Sequence, residues 1–497
     1  TIPDQQSWWL LLRMCAELRA NHLLRAVPPH IRDYATAHDA GLLGSLNSLL
    51  HLVANDDSNL VNLAHAVAQS PARYGGIGLR SAERTSEAAY WAGWASAIPV
   101  LRKRAPFLPF VERWVTELSA GQLEQLVPPL RAAAEAAALL DREGFSTIDT
   151  DPQTQTVTRP SWQNLLDGAE PPNPENPEPG EWAHAWQFFA ADVRERAAHS
   201  ALLDRVNSTQ KALLRSQGGP GAGAWLTAIP TSAILKLEPA IFVTSLRRRL
   251  LLPLSVGPSH CTCRERLDRF GYHLMSCMQS GGPQRRAGAM EVAWQHVLRE
   301  AGAHVNTPRT KPLMRNLNIP GIRPDDQRQL DILASVLFAI PLCADVTLRS
   351  PISAAGAPHS RAATKDGATF KQAYTDKKNK YPELHLGGAG VHMCRFLTLA
   401  AETGGRFCKN SVGLMRELVA QKALSQPPAL QRSASLMFTR RWWGILSVAV
   451  QYAVASTLVP EAIFGAGETR LLRTFPPPSL EELVGGHRVP PLVSRLR

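Results

Sequence analysis

The chain has 497 residues, of which 44% are hydrophobic, enough for roughly two to four domains with ordinary buried cores. Its 54 Lys and Arg against 42 Asp and Glu give a formal charge of +12, which favours nucleic acid over an anionic membrane as the partner. No secretory signal opens the chain and its 7 cysteines are odd in number. These features argue against a disulfide framework and for reduced thiols that bind metal.

The first segment, residues 5–145, is predicted to be helical because apolar residues recur at helical spacing in Leu- and Ala-rich stretches. The glycine-rich segment Gly75–Gly78 is predicted to be a structural turn, since no strand precedes it as a dinucleotide-binding loop requires. Asp56 and Asp57 are the nearest match to the paired aspartates of a polymerase palm, but no sheet sequence surrounds them. Polymerase activity is therefore not expected in this chain.

Composition changes sharply over residues 146–182. The run Pro171–Gly180 is rich in proline and favours neither a helix nor a central strand, so the whole stretch is predicted to be an extended, disordered linker. Helical patterning resumes over residues 183–256, which we interpret as a connector. The chain starts at Thr1 without a methionine, and we expect a fragment of a longer protein.

A metal-binding knuckle is predicted over residues 257–283. Two closely spaced cysteines are followed, after nine residues, by a histidine and, after three more, by a third cysteine. Sulfur and imidazole ligands at such spacing suit one tetrahedral structural Zn²⁺, which would hold a short segment poor in apolar residues. His260, next to the first cysteine, leaves the assignment open by one position. The predicted ligands are Cys261, Cys263, His273 and Cys277.

Arginines surround this knuckle on both sides and within it. A rigid, basic module of this kind suits contacts to phosphate, which set affinity and position but not sequence specificity. The alternative is an ordinary solvated basic surface. The predicted nucleic-acid-binding residues are Arg247, Arg248, Arg249, Arg264, Arg266, Arg269, Arg285 and Arg286.

Two aspartates follow the knuckle within apolar, strand-like sequence. Asp331 precedes Ile332, and Asp345 lies within the run Cys343–Leu348. A carboxylate in a covered strand is costly unless it is paired or binds a metal. The thirteen residues between the two aspartates allow one strand to turn back beside the other, so their carboxylates could share one Mg²⁺.

Phosphodiester cleavage also needs cations near the reacting phosphate. Lys377 and Lys380 are three positions apart and would share a helix face. Glu291, on a preceding predicted helix, is a third acid that could orient the metal or a water. The alternative is that the lysines form a solvated helix face and that the aspartates simply end strands.

These motifs occur in an order that resembles the C-terminal part of site-specific non-LTR retrotransposon proteins, where a CCHC knuckle precedes a PD-(D/E)XK-type endonuclease that nicks target DNA. More loosely, Gly75–Ser81 resembles the thumb after a reverse-transcriptase palm, and Gly219–Leu226 and Leu246–Leu250 fit the same kind of element. The motifs that carry the resemblance are Cys261-x-Cys263, His273, Cys277, Arg328–Asp331, Asp345-Val346-Thr347 and Lys377-x-x-Lys380-Tyr381.

The resemblance implies roles for these residues. Asp331 and Asp345 would bind the metal, Lys377 and Lys380 would position or stabilise the phosphate, and Thr347 stands where ordinary restriction enzymes carry a lysine. The family's Pro-Asp pair is matched here by Asp325, so either Asp325 or Asp331 could be the first ligand. We prefer Asp331, because strand-like sequence adjoins it.

The predicted fold class is multidomain, with a mainly α-helical N-terminal half (1–145 thumb-like), the small zinc knuckle, an α/β restriction-endonuclease-like domain over 284–465 and a tail over 466–497. The predicted function is Mg²⁺-dependent nicking of DNA. Element RNA and the missing reverse-transcriptase half are further predicted partners. A nuclear location is inferred from the substrate. The alternative is an inactive zinc-containing nucleic-acid-binding remnant. No membrane partner is expected, because Trp442–Val459, of nearly membrane length, carries polar residues and is interpreted as a buried helix.

Overall fold

A computed structural model describes most of the chain. The predicted tail, 466–497, lies outside the described residues, as do two parts of the predicted linker, 148–156 and 174–182. The described ranges are 4–31, 33–53, 55–121, 123–147, 157–173, 183–254, 260–307, 310–335, 337, 340–385, 388, 390 and 392–459.

Helices make up most of this structure, as predicted for the first half of the chain, and they continue through the second half. Short 3₁₀ turns connect several of them. The helices are α1 (Gln5–Leu11), α2 (Ala20–Ala26), α3 (Asp33–Leu49), α4 (Ser58–Ala68), α5 (Ala82–Arg102), α6 (Leu108–Ala120), α7 (Pro128–Arg142), α8 (Trp162–Leu166), α9 (Trp186–Arg205), α10 (Ser208–Gln217), α11 (Pro239–Arg249), α12 (Tyr272–Ser276), α13 (Gly282–Ala301), α14 (Phe370–Lys380), α15 (Lys409–Leu424) and α16 (Gln431–Ala455).

A small mixed sheet lies in the second half, in the spatial order β1-β2-β3-β4. The first two pairings are antiparallel, whereas β3 and β4 run parallel and are joined through α14, as a parallel pair requires a crossover. The predicted order of helix, two strands, helix and strand is found as α13, β2, β3, α14 and β4. The strands are β1 (His304–Val305), β2 (Ile332–Ser335), β3 (Leu342–Arg349) and β4 (Arg395–Glu402).

The largest hydrophobic core among the described residues joins the N-terminal helices to the second half of the chain. It includes Trp9 in α1, Trp225, Trp294 in α13 and Trp442 in α16, none of them exposed. The N-terminal helices therefore pack with the helices that cover the sheet. The predicted buried helix at Trp442–Val459 is confirmed over α16, and no helix among the described residues is long and apolar enough to span a membrane.

A second core, built by α5, α6, α7, α8 and α9, corrects the prediction for the linker. Residues 157–173 are ordered: Trp162 and Leu165 of α8 are buried in this core, and Arg159 donates hydrogen bonds to Asp141 at 2.8 and 3.0 Å. The proline content excluded long regular elements there, but it did not exclude a short helix that covers apolar surface.

The predicted turn at Gly75–Gly78 is present. Gly75 and Gly78 have φ of +95° and +75°, a conformation that favours glycine. A Cβ atom on Gly76 would lie 2.0 Å from the Ser70 carbonyl oxygen. Asp57 caps a helix: its carboxylate accepts hydrogen bonds from the first backbone N–H groups of α4.

Candidate functional site

The four predicted zinc ligands converge. Their ligand atoms all lie within 4.8 Å of one another. The Cys261 and Cys277 sulfurs are 3.8 Å apart, and the Cys263 sulfur lies 3.2 Å from His273 Nε2. Two sulfurs that each lie about 2.3 Å from one tetrahedral zinc ion are separated by a distance close to that between Cys261 and Cys277. The cluster could therefore hold one zinc ion.

Local backbone hydrogen bonds shape the knuckle around these ligands. Asp268 accepts hydrogen bonds from the N–H groups of Phe270, Tyr272 and His273 at 2.9 to 3.0 Å, which fixes the start of the helix that carries His273. Burial would raise the pKa of the Cys261 thiol, but hydrogen bonds from the Cys263 backbone and the Thr262 hydroxyl outweigh it and lower that pKa to about 6. The thiolate, which is the metal-binding form, is thus favoured.

The knuckle is anchored to the rest of the protein. Ser276 donates to the Ile352 carbonyl oxygen at 2.5 Å, and Arg286 of α13 donates to the Met275 carbonyl oxygen at 2.6 Å. A Cβ atom on Gly271 would lie 2.5 Å from the Leu458 side chain. The knuckle therefore packs against both α13 and the end of the chain's last described helix.

The second candidate site lies where β2 and β3 pair. Ile332 pairs with Ala344, so continuing the antiparallel register by one step brings Asp331 opposite Asp345 on the same face of the sheet. The Val346 backbone N–H donates to Asp331 Oδ2 at 2.9 Å, which holds the first carboxylate against β3. The two aspartates that the sequence singled out are thus neighbours.

Asp345 is almost fully buried, with 1% of its side chain exposed, and it is surrounded by hydrogen-bond donors from the end of α14. Lys377 forms an ion pair with Oδ1, while Lys380 and the Tyr381 hydroxyl reach Oδ2 at 3.3 and 2.8 Å. Burial would raise the pKa of Asp345, but the charge and hydrogen bond of Lys377 outweigh it, and the pKa is lowered. Asp345 is therefore an anion held by two ammonium groups.

Asp331 has a different environment. The ammonium group of Lys311 lies 2.7 Å from Asp331 Oδ1 and 2.6 Å from Glu291 Oε2. Burial, together with the neighbouring charges of Asp345 and Glu291, raises the pKa of Asp331 to about 7 despite this lysine. The predicted third acid, Glu291, is thus placed beside Asp331 by α13.

Arg328 positions the lysine-bearing end of α14. It donates to Asp326 Oδ2 at 2.6 Å, to Glu383 Oε1 at 2.7 Å and to the Lys380 carbonyl oxygen at 2.5 Å. Asp325, the alternative first ligand, has 79% of its side chain exposed and lies 3.9 Å from Arg323. The geometry therefore favours Asp331 over Asp325 as the partner of Asp345.

The charges at this second site balance within the protein, because three carboxylates face three lysines. Of all groups of three or more metal-ligand side chains in the described part of the chain, only the Cys/His cluster has its ligand atoms within 4.8 Å of one another. A divalent ion that binds these carboxylates would therefore have to displace at least one of the lysine ammonium groups that now pair with them.

The arginines divide into two groups. Arg264, Arg266 and Arg269 are exposed on the knuckle, as the phosphate-binding prediction requires, whereas the side chain of Arg285 lies outside the described residues. The remaining predicted contacts are bound to backbone carbonyl oxygens: Arg247 to Leu50 and Pro253, Arg248 to Thr403, Arg249 to Gly76, Ala72 and Gln217, and Arg286 to Met275.

Arg249 and Arg286 correct the prediction most clearly, because each is only 2% exposed. A guanidinium group enclosed in this way and bound to carbonyl oxygens joins chain segments and has no surface to offer to phosphate. The basic run that ends α11 is therefore mainly a packing feature. The sequence alone could not distinguish buried arginines from an exposed basic patch, because each would be a run of consecutive arginines in the sequence.

We expect Arg249→Met to destabilise the protein by about 3 kcal/mol, because it leaves buried carbonyl oxygens without a donor. Arg269→Met, a change of the same chemistry on the exposed knuckle surface, should change stability by less than about 0.5 kcal/mol. Urea unfolding of both variants, followed by tryptophan fluorescence, measures the difference. Equal unfolding midpoints would contradict the packing role of Arg249.

Sequence reasoning missed three residues of these sites: Lys311, Asp268 and Arg328. Lys311 lies in a Pro- and Thr-containing loop twenty positions before Asp331, and no periodicity marks it. Asp268 carries only the general preference of aspartate for turns, and the N-cap of α12 is Gly271, so no helix-capping pattern marks Asp268. Arg328 belongs to the Arg328–Asp331 motif, but nothing in the sequence indicates its partners.

Comparison of the chain with models of known protein families finds no match, and comparison with curated proteins finds none either. The functional argument therefore depends on the geometry of the two sites.

Proposed function

We propose that this protein is a Mg²⁺-dependent DNA endonuclease that nicks its target, from the C-terminal part of a non-LTR retroelement protein that lacks the reverse-transcriptase palm. One observation carries the proposal: Asp331, immediately before β2, lies opposite Asp345 of β3, and Glu291 of α13 and lysines from two other segments lie beside this pair. Paired carboxylates beside ammonium groups suit phosphodiester cleavage.

The residues present fit a divalent cation. Asp331, Asp345 and Glu291 supply the hard oxygen donors that Mg²⁺ prefers, and two of them, Glu291 and Asp331, are already paired with the positive charge of Lys311. When bound, Mg²⁺ would supply Lewis-acid stabilisation of phosphate and a water of lowered pKa.

Side chains of the protein would stabilise the reacting phosphate and orient the carboxylates. Lys380, with 44% of its side chain exposed, and Lys377, with 16%, offer positive charge to the scissile phosphate as negative charge develops on it. The Tyr381 hydroxyl, which donates to Asp345, keeps that carboxylate oriented. Arg328 holds the backbone at Lys380 in place, so the lysines and the carboxylates are positioned on separate but connected elements.

Binding of DNA would use the knuckle. Exposed Arg264, Arg266 and Arg269 could contact the phosphate backbone, which gives affinity without sequence specificity. Element RNA could compete for the same surface. A nuclear location and a reverse-transcriptase half as partner follow only if the DNA substrate and the retroelement origin are correct.

Nicking of supercoiled plasmid by the full chain with Mg²⁺ tests the proposal, and two isosteric variants sharpen it. Asp331→Asn should lose about a hundredfold or more of the nicking rate, because a ligand carboxylate is removed. Asp325→Asn, an equivalent change at the exposed alternative position, should nick like the unmodified chain. If the two variants exchange these results, Asp325 is the ligand.

A second candidate is a zinc-containing remnant that binds nucleic acid without cleaving it. It is favoured by the internal balance of three carboxylates and three lysines, which satisfies the acidic site without metal. Salt-dependent DNA binding by the unmodified chain, with no nicking in either Mg²⁺ or Mn²⁺, would establish this alternative.

A further inference from the structure

Lys311 is a residue of the acidic site that no sequence motif predicted. Its ammonium group bridges Glu291 Oε2 at 2.6 Å and Asp331 Oδ1 at 2.7 Å. The two carboxylates have only 6% and 14% of their side chains exposed, whereas 28% of the lysine side chain is exposed. The lysine therefore reaches a largely buried acidic pair from the solvent side.

The site cannot hold this ammonium and a divalent cation in the same place. Glu291 and Asp331 each have a short contact to Lys311, and two cations within a few ångströms of each other repel strongly where little water screens them. A metal bound by these carboxylates would displace the ammonium. The displaced ammonium, on a side chain that is 28% exposed, would be free to pair with another anion, and the DNA backbone is the anion that the proposed substrate brings.

We infer that Lys311 is an exchangeable cation, which occupies the carboxylate pair in the free protein and moves to a DNA phosphate when a divalent ion takes its place. This inference rests on the proposed function and goes beyond it, because it makes metal binding and DNA binding mutually dependent. By thermodynamic linkage, DNA would tighten metal binding by the same factor as metal tightens DNA binding.

Lys311 differs from the other two lysines of the site in its partners: it bridges Glu291 and Asp331, whereas Lys377 and Lys380 both pair with Asp345. Lys377 and Lys380 lie at the end of α14, where Arg328 fixes the Lys380 carbonyl group. Lys311 lies in a loop, next to Pro312, whose carbonyl oxygen accepts a hydrogen bond from the Leu330 N–H at 3.0 Å. The backbone is thus held beside the site, while the side chain can rotate on its flexible stem.

The test is Mn²⁺ binding to the full, zinc-loaded chain without DNA, measured from the loss of the free-ion electron paramagnetic resonance signal. Lys311→Met should bind Mn²⁺ roughly tenfold more tightly than the unmodified chain, because a competing charge is removed. Lys311→Arg keeps the charge and should stay close to the unmodified chain. Lys371→Met, an exposed lysine at the start of α14, is the matched control and should change nothing.

A non-cleavable phosphorothioate duplex then tests the coupling. It should tighten Mn²⁺ binding to the unmodified chain, and this gain should be several times smaller in Lys311→Met, which no longer has a charge to exchange. Unchanged or weaker Mn²⁺ binding by Lys311→Met, with a thermal unfolding profile like that of the unmodified chain, would overturn the inference. If that variant is less stable, Lys311→Gln provides the same comparison with a polar side chain.

Asp331→Asn separates failure of this inference from failure of the proposed function. If Asp331→Asn weakens Mn²⁺ binding but Lys311→Met does not strengthen it, the metal site stands and the exchange does not. If neither substitution alters Mn²⁺ binding, the carboxylates do not hold the metal, and both proposals fall.

Discussion

Nicking by an Asp345→Asn variant is expected to fall by about a thousandfold, while its affinity for DNA is retained or increased. Asp345 is the most buried acid of the site, with 1% of its side chain exposed, and it is paired with both Lys377 and Lys380. Removing its charge would deprive the proposed metal of a ligand. The same change would release both lysines for phosphate, so binding should not suffer.

The asparagine is nearly isosteric, and its side-chain oxygen can still accept the hydrogen bond from Tyr381. The fold should therefore persist, which a thermal unfolding profile checks. Asp376→Asn is the matched control: this carboxylate lies on α14 beside Lys377 but forms an ion pair with Arg349, so nicking should stay within a few-fold of that of the unmodified chain. Equal nicking rates for Asp345→Asn and the unmodified chain would place the chemistry elsewhere.

The centre of the acidic site could be predicted because its residues carry local signals. Asp331 and Asp345 stand out as carboxylates within apolar, strand-like runs, and Lys377 and Lys380 have helical spacing. Their order along the chain then allowed one strand to fold back beside the other. The β2–β3 register and the contacts of α14 place these four residues together, although their catalytic roles remain a proposal.

Lys311 and Arg328 could not be predicted, because their partners are distant in sequence or depend on the chain's path. Lys311 meets Glu291 and Asp331 only after β1 and the following loop return past α13. Arg328 pairs with Glu383, and two strands and a helix separate these two residues along the sequence. Long-range ion pairs of this kind leave no periodic pattern in a sequence.

The same limitation explains the errors about the arginines and the linker. Arg249 and an exposed Arg269 are indistinguishable as residue types, and Arg249 is buried because α11 packs against the segments that carry Gly76, Ala72 and Gln217. Short helix α8 lies between Pro160 and Pro171 and contains no proline; Ser161 caps it, and the burial of Trp162 and Leu165 holds it in place. Tertiary packing therefore decided both features.

The two sites are mechanically connected through α13. In its first turns, Arg286 donates a hydrogen bond to the Met275 carbonyl oxygen of the knuckle. Further along the same helix, Glu291 contacts Lys311, which also contacts Asp331. A change in the knuckle could thus shift an acid of the proposed catalytic site. Zinc at the knuckle would therefore support the acidic site by fixing the start of the helix that carries Glu291.

Loss of zinc is accordingly the second change for which a large effect is expected. The double variant Cys261→Ser/Cys277→Ser should retain almost no zinc after gel filtration, whereas the unmodified chain should carry a full equivalent, measured by atomic absorption. Structural zinc sites contribute about 10 kcal/mol or more to small zinc-dependent folds. We therefore expect the knuckle to unfold locally and to become sensitive to protease between Cys261 and Cys277.

Cys15→Ser is the matched control, because Cys15 is an exposed free cysteine outside the cluster; its zinc content and protease pattern should match those of the unmodified chain. The double variant should also nick DNA more slowly, since α13 would lose its anchor at Arg286. A full equivalent of zinc in the double variant would show that the metal binds elsewhere. Normal nicking by a zinc-free knuckle would instead show that α13 holds Glu291 in position without it.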